Sequence, residues 1–275
     1  MDINKKILKK LEEWQHKEGP LPQYLELYRQ LLSIQVEAKA SVPSPRLATA
    51  KADIEDAMKK GIPLLKWDAL SIDWAAFHKL LQSALAVISE NTNQTDKCLK
   101  NIASDITQLQ KMAEAWYEGS SLSPWSNSQG IDEDILSVAI HCAIKPFLAT
   151  QAKALIGQVS QEQWRHGYCP ICRGKPDFAY LDKERGARWL ICSRCDSEWL
   201  FQRLECPYCG TKDHTELSYF TDEKEMYRLY ICKRCRSYLK TIDLRKTETE
   251  VLLPLERVMT VDLDRQGQEK GYKGG

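Results

Sequence analysis

The sequence shows little of what marks a membrane, secreted or nucleic-acid-binding protein. Its expected most apolar window, Leu80 to Ile88, is interrupted by Gln82 and Ser83. That is far short of the roughly 20 residues a spanning helix needs, so no membrane insertion is expected. The opening MDINKKILKKLEEW has lysines but no apolar stretch behind them, which excludes a secretory signal. Charge of one sign is also missing: 39 Lys/Arg against 38 Asp/Glu leave a net charge of +1. A nucleic-acid binder usually carries a clear basic excess, so no nucleic-acid partner is expected. These absences place the 275-residue chain in the cytoplasm. Apolar residues at 43% and charged residues at 28% are ordinary for a protein with a real core.

What the chain has in quantity is cysteine, ten in all. A disulfide framework is not expected, because the cytosol keeps thiols reduced. Cys98 and Cys142 stand apart on helical apolar patterns and read as buried structural thiols. The other eight form the pairs Cys169/Cys172, Cys192/Cys195, Cys206/Cys209 and Cys232/Cys235, separated by gaps of 19, 10 and 22 residues.

The first 162 residues, taken as one domain, read as an all-helical bundle. Ile3, Ile7, Leu8, Leu11 and Trp14 make an amphipathic stripe. A second runs from Tyr24 to Val36 and a weaker third from Leu47 to Met58. Trp74 to Ile88 forms a strong fourth, with Ser71 as its expected N-cap. Leu99 to Trp116 forms a fifth, with Gly119 suited to its C-terminal cap. Ser120 to Gly130 reads as loop. The run from Ile131 to Ile156 contains Pro146, which makes it one kinked helix or two. No phosphate loop, nucleophile motif or metal-ligand pair occurs here, and no catalytic residue is assigned anywhere.

From Trp164 strand-like runs replace helical ones. A Cys-x-x-Cys turn lets both thiolates converge on one ion, and two such turns separated by about 15–20 residues complete a zinc-type tetrahedral site. The module repeats itself: Cys169-Pro170-Ile171-Cys172 matches Cys206-Pro207-Tyr208-Cys209, and Trp189-Leu190-Ile191-Cys192 matches Leu229-Tyr230-Ile231-Cys232. Arg188 and Arg228 occupy matching positions four residues before the later pairs. Each long gap holds its own hairpin, Phe178–Leu181 with Trp189–Ile191, and Glu216–Phe220 with Tyr227–Ile231.

The repeat favours sequential pairing. One site then takes Cys169, Cys172, Cys192 and Cys195, in a module over 163–204. The other takes Cys206, Cys209, Cys232 and Cys235, in a module over 205–245. Cross-bracing, first pair with third, is the alternative, and it leaves the separate hairpins unexplained. Residues 246–275 read as a tail packing on the body, with a frayed end.

Residues 165–245 hold 16 Lys/Arg and 12 Asp/Glu. Each divalent ion with four thiolates carries two negative charges, so two loaded sites bring the module near neutrality. Lys175, Arg194, Lys233 and Arg234 then need no phosphate ligand to explain them. Four sulfurs leave no open position for water or substrate, so both sites read as structural. Zinc is the default ion, with iron the competitor for the same sulfur cage. His166 and His214 read as loop residues. Disulfide exchange at one pair would need an exposed, low-pKa thiol on a helix N-terminus, which the turn context does not offer.

Tandem CPxC…CxxC…CPxCG…CxxC behind a helical domain resembles the formate dehydrogenase accessory (formation) protein family, FdhE. The closest stretches are Trp164–Cys172, Arg188–Cys195, Ser197-Glu198-Trp199 and Arg203–Gly210, with Tyr238-Leu239-Lys240, Val261-Asp262-Leu263 and Gly271-Tyr272 also fitting. Arg173 departs from the glycine usual after the first pair. The resemblance implies tandem rubredoxin-like (zinc-ribbon) sites in a cytoplasmic maturation factor or chaperone. Its partner is then the catalytic subunit of formate dehydrogenase, and it is not an enzyme. Glu198, Trp199 and Arg203 are candidates for a partner-facing or domain-docking surface, while for Trp199 shielding of a metal site is an equal reading. An iron-loaded electron carrier, or a nucleic-acid-binding zinc ribbon, are the competing functions.

Overall fold

The computed structural model describes residues 2–39, 42–43, 51–92 and 105–275. The expectations for Cys98, for Leu47 and for the Leu99 and Ile102 end of the fifth helix fall outside them. The chain divides into two units, Met1–Arg46 with Trp67–Gln151, and Leu47–Lys66 with Ala152–Gly275.

The first unit is helical. It holds α1 (Ile3–Glu18), α2 (Gln23–Ala38), α4 (Trp74–Thr92), α5 (Ile106–Glu118), α6 (Ser123–Gln129) and most of α7 (Glu133–Leu155). Ile7, Leu11, Leu25, Leu32, Phe77, Leu81, Leu85, Leu109 and Ile140 are all buried, so each apolar stripe faces a common core. Gly119 ends α5 at φ 74, and its N–H caps the Ala115 carbonyl. Here only a residue without a Cβ turns the chain without strain.

Two details differ from the sequence reading, and at Pro146 the structure selects the single helix of the two alternatives. The N-terminus of α4 is capped by Asp73, whose carboxylate accepts from the Ala76 N–H at 3.0 Å, while Ser71 pairs instead with the Gln151 amide. The stretch read as loop contains α6, which starts with Pro124 in its first turn and stops at left-handed Gly130. That is the proline-in, glycine-out signature of a short helix. Pro146 lies within a single helix, and the Thr150 hydroxyl bonds the Pro146 carbonyl at 2.8 Å. The helical stretch Glu133–Gln158 is long and apolar enough to cross a membrane by length and composition, a longer apolar window than Leu80–Ile88. With 61% of that window buried, it has the character of a core helix.

The second unit is built on one sheet. Its strands are β1 (Pro176–Leu181), β2 (Arg188–Cys192), β3 (Glu198–Phe201), β4 (Leu217–Thr221), β5 (Tyr227–Cys232), β6 (Ser237–Asp243) and β7 (Lys273–Gly274). The order is β3-β2-β1-β6-β5-β4, with β7 on β6. Each repeat supplies an antiparallel three-stranded meander. β1 and β6 then join the two in parallel, Phe178 opposite Lys240 and Leu181 opposite Asp243. Phe178, Ile191 and Ile242 make a buried cluster on this seam. Sequence pattern revealed the hairpins but not their fusion.

Two further segments complete the unit. α3 (Lys51–Lys60), expected within the helical domain, belongs here, with Ile54 and Met58 buried. Behind it, the Leu64 and Leu65 N–H groups bond the Pro170 and Ile171 carbonyls at 2.9 Å, and the Tyr168 hydroxyl bonds the Gly61 carbonyl at 2.8 Å. Amphipathic periodicity marks a helix but not the surface it covers. The C-terminal segment forms α8 (Leu253–Met259) and α9 (Val261–Glu269), and its end is docked rather than frayed. The Lys273 N–H bonds the Arg236 carbonyl at 2.9 Å, and the Arg236 guanidinium lies 4.4 Å from the Tyr272 ring.

Candidate metal centres

Each cysteine pair sits on a tight turn, the first just ahead of β1 and the other three between strands, and the same turn occurs four times. After the second cysteine the backbone takes the left-handed conformation: Arg173 at φ 62, Asp196 at φ 58, Gly210 at φ 71 and Arg236 at φ 56. The first cysteine's N–H reaches across the turn to a carbonyl beyond it, Cys169 to Gly174 at 2.8 Å, Cys192 to Ser197 at 2.9 Å and Cys206 to Thr211 at 2.9 Å. This geometry turns N–H groups toward sulfur, with Ile171 on Cys169 at 3.3 Å and Arg194 on Cys192 at 3.4 Å. Such donors stabilise the charge of a bound thiolate. Only Gly210 of the four left-handed residues is a glycine. Arg173 and the other two accept a conformation that costs a side chain about 1 kcal/mol.

The turns bring the sulfurs together in two sets of four, Cys169, Cys172, Cys192 and Cys195, and Cys206, Cys209, Cys232 and Cys235. Within each set the sulfurs lie within 4.8 Å of one another. Sulfur–sulfur distances are 3.6 Å for Cys169–Cys195, 3.5 Å for Cys172–Cys192 and 3.5 Å for Cys172–Cys195. In the second set they are 3.6 Å for Cys206–Cys235 and 3.7 Å for Cys209–Cys232. A tetrahedron with metal–sulfur bonds of about 2.3 Å has edges of about 3.8 Å, so both cages suit a tetrahedral soft or borderline cation. They are too wide for disulfides, which bond at about 2.05 Å. The sets are sequential, not cross-braced.

Four sulfurs this close cannot all ionise by themselves. Burial pushes the Cys169 thiol well up, and the hydrogen bonds its S–H donates to the neighbouring cysteines add to it. Burial acts the same way on Cys195, but its hydrogen bonds with Cys169, Cys172, Cys192 and Ser197 outweigh it and hold that thiol well below its usual range. In the second set burial likewise opposes ionisation of Cys235, and hydrogen bonds from Ser237, Cys232 and Cys206 bring it down to about 7. A divalent cation makes four thiolates compatible.

The two cages differ in access. All four cysteines of the first are buried, whereas Cys209 is exposed and Cys235 half-buried in the second. The first is also braced from the C-terminal segment. Arg257 on α8 contacts Asp196 at 2.9 Å and Asp177 at 3.3 Å, and donates to the Cys192 carbonyl. Gly174 completes the first cage, because a Cβ there would stand 2.7 Å from the Cys192 sulfur.

The remaining candidates are scattered. Trp199 is fully buried, its indole N–H donating to the His166 carbonyl at 3.1 Å, and so does not face solvent. Glu198 is half-buried and accepts the Tyr180 hydroxyl at 2.6 Å. Arg203 is exposed. His166 stacks on Tyr168 with ring centres 5.0 Å apart, and His214 lies on an exposed turn; neither is in a cage. Cys142 is buried, its thiol pushed up to about 12 by burial despite a hydrogen bond from Gln35.

Comparison with known proteins agrees with this arrangement. The family model described as "FdhE, central domain" matches residues 168–203, which carry the first cage. The FdhE homolog of Aquifex aeolicus is 33% identical over 224 residues, covering 80% of this chain and 75% of its own. That of Shewanella sp. strain MR-4 is 27% identical over 264 residues, covering 93% and 81%. In fold, the crystal structure of the FdhE protein from Pseudomonas aeruginosa superposes with a TM-score of 0.63 at 21% identity, over 98% of this chain and 91% of that one. A helical region followed by one sheet bearing two four-cysteine cages, together with a relative at this identity and coverage, places the chain in the FdhE family.

Proposed function

We propose that this protein is a cytoplasmic accessory factor for formate dehydrogenase that binds the enzyme's catalytic subunit during maturation and is not itself an enzyme. The observation that carries the reading is the pair of closed cages in a chain of this family: each gathers four sulfurs within 4.8 Å of one another, a donor set for one ion. A four-coordinate tetrathiolate ion has no position left for water or substrate, so the ions act as folding cross-links. All eight paired cysteines are then ligands, in two sites of four. Zinc is the default occupant and iron fits the same donor set. The ions hold the two meanders rigid, and the surface so fixed serves a protein client.

The test is capture of the catalytic subunit by metal-loaded full-length protein under anaerobic conditions. Recovery of the subunit is the expected result. Its absence, with two ions still bound per chain, overturns the proposal.

A second reading draws on the exposure of Cys209 in the second cage, since an accessible sulfur is where an iron-loaded site would exchange electrons. Metal analysis and the optical spectrum after anaerobic purification decide it. Zinc-only protein that still supports maturation excludes electron transfer.

A further inference from the structure

The two repeats differ at one charged position. In the second, Arg228 on β5 faces Thr241 across the ladder, and its Nη2 donates to the Asp243 carboxylate at 2.9 Å, two residues further along. In the first, Arg188 on β2 faces Phe201 in the same register. The position matching Asp243 is therefore Arg203. Where one repeat pairs its arginine with an acid, the other sets a second base beside it.

Arg188 is 2% exposed. Its Nη2 donates to the Gln202 and Glu205 carbonyls, and its guanidinium lies 5.3 Å from the Phe201 ring and 5.8 Å from the Tyr230 ring. Neither its Nε nor the buried Tyr230 hydroxyl has a hydrogen-bond partner. Among the described residues no carboxylate is within ion-pair distance of Arg188 or Arg203, and the nearby Glu205 is turned to Lys212 at 3.5 Å. Burial lowers Arg188 to about 10, which leaves it a cation at neutral pH. Arg188 and Arg203 border one cavity of about 30 Å³, walled also by Tyr208, Leu217, Tyr230 and Leu239.

One water occupies roughly 10–15 Å³ by the same measure, so the cavity admits a group of two or three heavy atoms. A guanidinium matches the two oxygens of a carboxylate, and in the second repeat Arg228 holds one of them through its Nη2. Cys206 and Cys232 also border the cavity. The negative charge of a loaded second cage disfavours a dianion such as phosphate more than a monoanion, while Arg203 supplies the positive charge that lets a monoanion approach.

We propose that the cavity between Arg188 and Arg203 binds a carboxylate, received by the unpartnered Arg188 Nε–H and by the Arg203 guanidinium. The group can belong to an acidic side chain or C-terminus of a client polypeptide, which rests on the accessory role above, or to a free small carboxylate, which does not.

The experiment titrates metal-loaded full-length protein with acetate, at ionic strength held constant with chloride, and follows the Arg188 Nε–H resonance by NMR. A saturable shift is expected. Arg203→Gln, an exposed substitution, should weaken it at least about tenfold, as loss of one charged hydrogen bond does. No saturation, the same response to chloride alone, or an unchanged affinity in Arg203→Gln overturns the proposal. Capture of the catalytic subunit then separates the sources. Loss of capture by Arg203→Gln with two ions retained assigns the carboxylate to the client, and normal capture with lost acetate binding assigns it to a free ligand. If wild-type protein captures no subunit, the accessory role fails while the acetate result still stands.

Discussion

Residues next to the sulfurs govern the cages as much as the sulfurs do. Gly174 follows left-handed Arg173, and a Cβ on it would stand 2.7 Å from the Cys192 sulfur and 3.1 Å from Arg194 Cδ. The sulfur cannot retreat without leaving the tetrahedron. Gly174→Ala should therefore cost about 1–3 kcal/mol of overpacking. Metal analysis after mild chelation should give one ion per chain, held by the second cage, instead of two. Two ions retained at wild-type affinity would show that the cage relaxes freely. This glycine carried no signal in the sequence. The eight cysteines did, because tetrahedral coordination dictates their spacing in the chain itself, and the repeat divided them into the two sets that the fold brings together. Trp199 was legible equally as a partner-facing residue and as a shield over a metal site, and the sequence did not choose between them. Its indole N–H reaches the His166 carbonyl, 33 positions away in sequence, and no local pattern reports such a contact.

At the level of elements, the meanders were readable from alternation and charged turns, but the parallel seam of β1 on β6 was not. Pairing between strands this far apart is set by the tertiary packing of Phe178 and Ile242, which period-2 patterning does not encode. Asp243 closes this seam. It is fully buried, and although burial opposes its charge, hydrogen bonds from Arg245 and the charges of Arg245 and Arg228 hold its carboxyl below the ordinary range. A depressed folded pKa means stability that is present above the unfolded value near 3.8 and is lost as pH falls through the folded value. Asp243→Asn leaves Arg228 buried without its acid and should cost about 3 kcal/mol at neutral pH. The urea midpoints of the two proteins should differ most at pH 7 and converge only below pH 3.8, since asparagine does not titrate. Midpoints that coincide at pH 7 would mean that the ion pairs only match their desolvation cost.

Across the whole second unit, two cages of unequal exposure share one sheet, and this sets the order in which the ions leave. In the first cage every sulfur is buried, and Arg257 ties the turn at Asp196 to α8. In the second, Cys209 is exposed, so a chelator reaches that sulfur without prior opening of the sheet. Because ion-binding energy at such sites is folding energy, stripping an ion also melts the turns it held. Chelation should therefore run in two phases, the second cage emptying first, with partial loss of β-structure signal. The first ion should follow only on a slower step that requires opening of the β1–β6 seam. Cys209→Ser should abolish the fast phase and leave the slow one, measured by a metallochromic dye together with circular dichroism. Acid acts in the same sense, since each released ion must be replaced by protons on its thiolates, so lowering the pH should accelerate both phases. A single phase releasing both ions would mean that the seam makes the two repeats one cooperative block, in which Cys209 exposure has no kinetic consequence.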